Sequence, residues 1–304
     1  MGGRAQSENN MQLNDERGRA DNEHKFGGAW TIIKLEALGK YLGAFNRALS
    51  KQTFTRIYID AFAGTGRCDV NVYGERHSIE GSALRALSAS PSFNKFVFIE
   101  RDAVKIAALN DLKNKYPDKF IETIQGDANA SLKSLCAAYQ WKDSRAVLFL
   151  DPYGMDVEWA TLEVIAKTEA IDVWYLFPYA GLYRQAAKNT DALDASKVAA
   201  LNRILGTDEW RKSFYEPKRQ ANLFDDESEG EERHVEHPQM LEYVSTRLKG
   251  LFPAVTEPKV LYQRGDSKSP SGPPLFALYF AASNKSPRAY GLATKIAKDI
   301  LNSL

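Results

Sequence analysis

The sequence predicts an α/β fold, built as a doubly wound and mostly parallel sheet of seven strands. Short apolar runs alternate with helical patterns along most of the 304 residues. Four successive runs lead into an acidic residue, and the first of them is followed by a glycine-rich turn. Such alternation is typical of βαβ units, in which helices cover both faces of a parallel sheet.

Composition limits the class of protein. The chain is 44% hydrophobic, which is enough for a sizeable core, and its net charge of +1 lacks the basic excess of most nucleic-acid-binding domains. The two cysteines, Cys68 and Cys136, predict neither a disulfide framework nor a thiolate metal site. No apolar run approaches the roughly 20 residues of a membrane span, and the N-terminus lacks a signal-peptide pattern. We therefore expect a cytoplasmic protein that does not enter a membrane.

The first part of the chain contains a tail, a helix and a strand. Residues 1–25 are polar and lack periodicity, which predicts a disordered tail. Apolar residues at helical spacing predict a helix from Trp30 to Leu49. A strand at Ile57–Asp60 follows and leads directly into the glycine-rich turn. Residues 26–304 are predicted to form one domain.

Strands and helices alternate after that turn. A polar stretch from Arg67 to Ile79 comes first, and we interpret it as a loop that folds over a ligand. The later strands are predicted at Lys95–Glu100, Phe120–Gln125, Ala146–Leu150 and Val173–Phe177, and the helices at Gly81–Leu87, Ala103–Lys115, Ala130–Tyr139 and Glu158–Lys167.

The alternation stops at Pro178. Residues 179–236 show only helical patterns, which predict a helical insertion after the fifth strand, ending in an acidic loop from Asp225 to Glu232. Because this insertion follows the strand next to Asp151, we expect it to cover or recognise a substrate. Two strands and two helices complete the domain: Pro238–Leu248, Lys259–Gln263, Leu275–Ala282 and Pro287–Leu301.

Acidic residues mark the ends of four strands: Asp60, Glu100, Asp127 and Asp151. Ligands of open α/β sheets bind at the carboxyl ends of the strands. Unpaired carboxylates are costly to bury, so these acids are poorly suited to a core. They suit a cleft for a ligand rich in hydroxyl and amino groups.

The glycine turn separates two classes of cofactor. A dinucleotide site would need G-x-G-x-x-G, whereas this chain has Gly64-Thr65-Gly66 and no third glycine. Asp60 before the turn also disfavours a pyrophosphate. S-adenosylmethionine has positive sulfonium and amino groups and fits better, with Glu100 for the ribose hydroxyls and Asp127 for the adenine amino group. A nicotinamide-dependent dehydrogenase is a weaker alternative.

The segment Asp60-x-Phe62-Ala63-Gly64-x-Gly66 resembles motif I of class I S-adenosylmethionine-dependent methyltransferases. The phenylalanine variant is similar to that of enzymes that methylate amino groups of nucleobases. The resemblance implies a class I methyltransferase (Rossmann-like) sheet. The cofactor-binding residues that it implies are Asp60, Phe62, Ala63, Gly64, Gly66, Glu100, Asp127 and Ala128.

The segment Asp151-Pro152-Tyr153-Gly154 resembles motif IV of amino methyltransferases, which usually has an acid or Asn, two prolines and an aromatic residue. The resemblance implies that Asp151 orients an acceptor nitrogen, that Pro152 leaves backbone carbonyls free, and that Tyr153 stacks on a nucleic acid base. These three are the predicted catalytic residues, and no metal is predicted. One proline is missing, so a plain turn in which Asp151 touches only the cofactor stays open.

An ordered set of stretches resembles the three-Cys-motif partner protein (TcmP) family: Trp30-Thr31, Lys34-Leu35, Tyr41-Leu42, Tyr58–Gly64, Glu80-Gly81-Ser82, Leu148–Gly154, Leu205-Gly206 with Trp210, and Leu275–Ser283. The family is regarded as methyltransferases of unsettled substrate. Its name refers to a partner protein that carries a three-cysteine motif and resembles radical-S-adenosylmethionine proteins. The resemblance implies methyl transfer, and a non-catalytic partner subunit is the alternative. Lys34 and Tyr41 are expected either to reach the cofactor carboxylate or to pack.

Overall fold

The computed structural model describes residues 28–72, 75–217, 230–264 and 271–304. The predicted disordered tail and residues 225–229 of the acidic loop lie outside these ranges. In the described part of the chain, no helix combines the length and apolar character needed to cross a bilayer.

The described strands are β1 Thr55–Asp60, β2 Arg67–Val72, β3 Glu75–Glu80, β4 Lys95–Glu100, β5 Ile121–Gln125, β6 Ser144–Leu150, β7 Ile171–Phe177, β8 Tyr215–Pro217, β9 Glu231–Arg233, β10 Ala254–Val255, β11 Lys259–Arg264 and β12 Ser271–Ala282. The described helices are α1 Ala29–Ala48, α2 Ser82–Leu87, α3 Ala103–Lys115, α4 Ala128–Ala138, α5 Trp159–Lys167, α6 Tyr179–Gln185, α7 Ala195–Leu205, α8 Trp210–Phe214, α9 His237–Leu251 and α10 Pro287–Asn302.

The main sheet confirms the predicted doubly wound, mostly parallel architecture. Strands β5, β4, β1, β6 and β7 lie in that order and run parallel. This is the strand order of a Rossmann-like sheet. Strand β12 runs antiparallel to β7, and both β10 and β11 pair with β12. The additional strand is β10, whose two residues are too few to show a periodic pattern.

The central strands are buried on both faces. Ile57 and Ile59 of β1 pack with Leu132 of α4 and Leu162 of α5. Tyr58, between them, points to the opposite face and packs in the cluster that includes α1. Successive side chains of a strand point to opposite faces, so a strand covered on both sides must be continuously apolar. This requirement explains why the strands could be predicted from their sequence.

The chain order reverses beside β1. From β1 the chain continues to β4 and β5 on one side, and then returns to β6 and β7 on the other. The connections after β1 and β6 therefore leave the sheet in opposite directions and open a crevice at its carboxyl edge. Strand β1 ends at Asp60 and β6 at Leu150, directly before Asp151, so the ends of these two strands flank the crevice.

The stretch from Arg67 to Ile79 differs from the predicted loop, because β2 and β3 form an antiparallel hairpin in it. The Gly81 N–H donates to the Gly66 carbonyl over 2.8 Å and closes the base of the hairpin. Along β2 the exposed Arg67 and Asp69 alternate with the half-buried Cys68 and the buried Val70. This alternation is typical of a strand with one covered side, and the charged residues between the apolar ones led to the interpretation as a loop.

The insertion after β7 is helical, as predicted, with a short β8–β9 pair in addition. Its apolar side chains Leu182, Leu201 and Trp210 join the core cluster that includes Trp159 of α5 and Met240 of α9. Most of the insertion therefore thickens the helical layer on one face of the sheet. Its expected role over a substrate stays a prediction.

Candidate active site

A cleft along the carboxyl edge of the sheet has two halves. One half, of about 510 Å³, is lined by the ends of β4 and β5, and its wall carries five acidic and three basic residues. The other half, of about 620 Å³, is lined by the glycine turn, the β2–β3 hairpin and the first turn of α1, with two acidic and four basic residues. We call them the acidic half and the basic half. Phe62, Lys105 and Tyr153 line both.

Glu100 connects the acidic half to the glycine turn. Its carboxylate accepts a hydrogen bond from the Gly64 N–H over 2.9 Å. The other oxygen accepts from the backbone N–H groups of Arg101 and Asp102, each over 3.0 Å. Because three amides from two loops meet on one carboxylate, Glu100 holds the turn against the end of β4.

The start of α4 forms another wall of the acidic half. Asp127 caps this helix, because its Oδ1 accepts from the Ala130 N–H over 3.0 Å. Ala128 lies buried behind it. Asn129, which was not predicted, donates to the Asp156 carbonyl over 2.8 Å and accepts from the Thr161 hydroxyl over 2.9 Å. Asn129 thereby fixes α4 to the segment after β6.

The glycine turn uses left-handed backbone conformations. Gly64 has φ +61° and Gly66 has φ +82°. A Cβ on Gly64 would meet no described atom within 4 Å, whereas one on Gly66 would contact Leu112 and Leu84. Gly64 therefore leaves open space at the cleft, and Gly66 allows close packing. Ala63 fixes the turn, since its N–H donates to the Ile99 carbonyl over 3.1 Å.

Asp60 lies beneath the turn, which corrects the expectation that it lines the cleft. Its carboxylate is fully buried and accepts from the Tyr58 hydroxyl over 3.0 Å and from the Phe62 N–H over 3.3 Å. The pKa of Asp60 is raised to about 6, mainly by burial and in smaller part by the Asp151 charge, while hydrogen bonds from Ser82, Tyr58 and the Phe62 N–H oppose the shift. In this geometry Asp60 supports the turn and Tyr58.

Asp151 faces the basic half, where it pairs with Lys34 of α1. Lys34 Nζ lies 2.5 Å from Asp151 Oδ2, and the same Nζ lies 4.9 Å from the centroid of the Trp30 ring. The Lys34 side chain is almost completely buried. The Asp151–Lys34 pair was not predicted. Tyr41, two turns along α1, instead donates to Asp172 over 2.7 Å and packs in the core.

Pro152 and Tyr153 complete the turn after β6. Pro152 is buried, whereas Tyr153 is 68% exposed. Lys105 Nζ donates to the Tyr153 hydroxyl over 2.8 Å and lies 4.6 Å from the ring centroid. The Tyr153 ring therefore stands at the border between the two halves, where a planar ligand could contact it.

Other predicted features contribute less. Among the described residues of the insertion, Arg203 lines the cleft. It donates to the Met155 carbonyl over 3.2 Å. Over the described ranges, no three His, Cys, Asp or Glu side chains are grouped closely enough to hold a metal ion.

Comparisons with known proteins do not assign a family. No family model and no curated protein matches the chain. Among solved structures, protein LPL1258 of Legionella pneumophila, of the DUF519 family, has a TM-score of 0.49 and 11% identity over 91% of this chain and 94% of that chain. The resemblance to the TcmP family stays a prediction.

Two further solved structures are methyltransferase-related by name or by ligand. The N-terminal domain of EvdMO1 with SAH bound has a TM-score of 0.36 and 10% identity over 81% of this chain and 80% of that chain. An S-adenosylmethionine-dependent methyltransferase of Clostridium acetobutylicum has a TM-score of 0.35 and 10% identity, covering 82% and 92%. At such low scores we base the function on the geometry of this chain.

Proposed function

We propose that this protein is an S-adenosylmethionine-dependent methyltransferase that transfers a methyl group to nitrogen, with a nucleic acid base as the acceptor class. The observation that supports the proposal is the cleft at the reversal of strand order. The glycine turn, the Glu100 and Asp127 walls and the Asp151 turn all border it. Ligand sites of open α/β sheets lie at this position.

The residues present fit the cofactor. Both halves of the cleft fall within the roughly 300–1,000 Å³ of small-ligand sites, and Gly64 leaves open space between hydrogen-bonding walls. A carboxylate has about four acceptor positions, so Glu100 and Asp127 can accept further bonds from ribose hydroxyls and an adenine amino group. Ala128 offers an amide of the first helical turn. When bound, the cofactor supplies an electrophilic methyl group.

The Asp151 turn suits a nitrogen acceptor. The Asp151 carboxylate can accept a hydrogen bond from an acceptor N–H while it holds Lys34, because each oxygen has two lone pairs. Buried Pro152 brings no N–H donor to compete for that bond. The exposed Tyr153 ring can stack on a planar base. Together these groups would orient the acceptor, and orientation is the main requirement for transfer to a neutral amine.

A second candidate function is a cofactor-binding subunit of the three-cysteine-motif protein that performs no methyl transfer. One observation favours it: an oxygen of Asp151, the group that would orient the acceptor, already holds Lys34. Transfer of labelled methyl groups to pools of DNA, RNA and protein separates the two functions. Label in one pool supports the enzyme, and cofactor binding without label in any pool supports the subunit.

Gly64→Asp tests the cofactor site. We expect calorimetry to detect binding of S-adenosylmethionine to the wild type and an affinity at least about 100-fold lower in the variant. The new side chain would occupy the space that Gly64 leaves open at the cleft. NAD should bind to neither protein.

Gly250→Asp is the matched control. Gly250 also has open space around its Cβ position, but it lies outside the cleft. Its affinity for S-adenosylmethionine should equal that of the wild type. Unchanged affinity in Gly64→Asp would refute the site, and binding of NAD in place of S-adenosylmethionine would favour a dehydrogenase.

A further inference from the structure

Charged residues are divided unevenly between the two edges of the parallel sheet. The cleft at the carboxyl edge is lined by seven acidic and six basic residues. At the opposite edge, the segments that lead into the five parallel strands contain seven basic and three acidic residues. These segments, which we call the basic edge, are 49–56, 88–95, 116–121, 139–145 and 167–171. The basic edge is therefore more positive than the cleft, although the whole chain carries a net charge of only +1.

The sheet places the segments of the basic edge in a row. Strands β5, β4, β1, β6 and β7 lie side by side in that order and run parallel, so their first residues are neighbours. Neighbouring strands are about 4.8 Å apart, so the row spans roughly 19 Å. Lys119 precedes β5 at one end, and Lys167 precedes β7 at the other. An elongated row of positive charge suits an extended polyanion.

Three lysines of the basic edge have no acidic partner. Lys51, Lys142 and Lys167 are exposed, and none of them forms an ion pair with a described residue. They precede β1, β6 and β7, which are adjacent strands. Each therefore keeps three N–H donors for a ligand. The phosphates of a nucleic acid bind such ammonium groups and release their counterions.

An exposed aromatic ring lies at one end of the basic edge. Phe120 directly precedes β5 and is 63% exposed, and Lys95 Nζ lies 5.1 Å from the centroid of its ring. Among the described Phe, Tyr and Trp side chains, the other one of comparable exposure is Tyr153 in the cleft. Bases of single-stranded nucleic acids stack on such rings, whereas the bases of a duplex are already stacked on each other. Phe120 therefore favours an unpaired base.

We propose that the basic edge binds a single-stranded nucleic acid, with Lys51, Lys142 and Lys167 on phosphate groups and Phe120 against an unpaired base. Cations combined with an aromatic ring are typical of single-strand sites without sequence preference. A membrane surface fits less well, because Phe120 is the one exposed large apolar residue in these described segments. The proposal does not rest on methyl transfer, since the basic edge and the cleft lie at opposite ends of the strands.

Two variants test the basic edge by different readouts. Fluorescence anisotropy of a labelled single-stranded RNA of about 12 nucleotides measures the affinity of the full-length chain at several salt concentrations. The combined Lys51→Gln, Lys142→Gln and Lys167→Gln variant should bind roughly 10-fold or more weakly, with a log–log salt slope smaller by about 2, because each phosphate contact contributes about 0.7. Phe120→Ala should bind roughly 10-fold more weakly with an unchanged slope, because it removes stacking and no charge.

Matched controls make the same changes elsewhere. The combined Lys40→Gln, Lys188→Gln and Lys212→Gln variant removes equal charge from exposed lysines that pair with glutamates. Leu292→Ala truncates an apolar side chain that is 51% exposed on α10. Both controls should bind the RNA with the affinity and slope of the wild type. All four variants change exposed side chains and should melt close to the wild-type temperature, so a loss of binding cannot reflect unfolding.

Each contrary outcome overturns a defined part of the proposal. A wild type that does not bind the RNA, or wild-type affinity in the variant of Lys51, Lys142 and Lys167, overturns the basic edge as a nucleic acid site. Wild-type affinity in Phe120→Ala, or equally tight binding of an RNA duplex, overturns the single-stranded ligand. Tighter binding to phosphatidylserine vesicles than to RNA overturns the nucleic acid in favour of a membrane. The transfer of labelled methyl groups tests the proposed function separately, so the two proposals can fail independently.

Discussion

The two halves of the cleft hold their charged groups differently. In the acidic half three carboxylates accept hydrogen bonds from backbone amides, three on Glu100, two on Asp102 and one on Asp127, and Glu158 is the member that pairs with a side chain, Lys133. In the basic half the charges pair through side chains, as Lys34 does with Asp151. Acids held by the backbone are preorganised, whereas paired side chains can exchange partners when a ligand binds. We therefore expect the acidic half to bind an invariant nucleoside and the basic half to adapt to variable anionic groups.

Among the variants that test this comparison, Glu100→Ala should have the largest effect on ligand affinity. The variant removes the proposed acceptor for the ribose and releases the Gly64 N–H from the end of β4. A hydrogen bond to a charged group contributes about 1.5–3 kcal/mol, so the loss of the ribose bond predicts affinities roughly 10- to 100-fold lower. Calorimetry should give the same loss for S-adenosylmethionine and for 5′-methylthioadenosine, since both contain the nucleoside.

Glu122→Ala is the control for this change. Glu122 lies on β5 next to β4, pairs with Lys95 over 2.6 Å and does not line the acidic half. It should leave both affinities unchanged. If Glu100→Ala lowered the affinity for S-adenosylmethionine alone, the assignment of the nucleoside to the acidic half would be contradicted, because Glu100 would then act on the amino-acid part of the ligand.

The sheet was predictable because its central strands are buried on both faces. Phe96 to Ile99 form a continuous apolar run between Lys95 and Glu100, and this run is too short for a helix. The β2–β3 hairpin was missed, although Cys68, Val70 and Val72 alternate with polar residues in the sequence, a pattern typical of a half-buried strand. The many charged residues of the stretch favoured the interpretation as a loop.

The site was predictable where a residue's position on its strand determines its location. Glu100, Asp127 and Asp151 border the cleft because they follow parallel strands. The position of a residue at the end of a strand does not determine where its side chain points, so the burial of Asp60 was not predicted. The Lys34–Asp151 pair joins residues 117 positions apart, and only the packing of α1 beside the sheet brings them together.

Asp60→Asn extends the comparison to an acid that lies beneath the glycine turn, at the border of the two halves. Asp60 is fully buried and accepts a single described backbone amide, from Phe62, whereas Glu100 accepts three. Its pKa of about 6, raised mainly by burial, exceeds the ordinary value of 3.8. The folded state therefore binds this proton more tightly than the unfolded state. Its contribution to stability is fully present below about pH 4 and is lost as the pH rises to about 6.

Asp60→Asn has no carboxyl group at this position, so its stability does not fall in this way as the pH rises. Between pH 4 and pH 7, the free energy of unfolding of Asp60→Asn should therefore rise relative to the wild type by about 1–3 kcal/mol. Urea unfolding at several pH values measures the difference. Asp118→Asn, at an exposed site, should show no comparable trend. A constant difference between Asp60→Asn and the wild type would mean that Asp60 titrates normally.

Lys105→Met should have the smallest effect, because Lys105 lines both halves at their border and its described contacts are with Tyr153. It contacts the hydroxyl and the ring of Tyr153, which is exposed, so its charge is screened by water. Affinities for S-adenosylmethionine and 5′-methylthioadenosine should fall by the same factor, at most about 5-fold. Lys113→Met, on the same helix but bonded to Thr123, should change neither. A loss restricted to S-adenosylmethionine would place Lys105 in the basic half and move the border of the two halves towards Glu100.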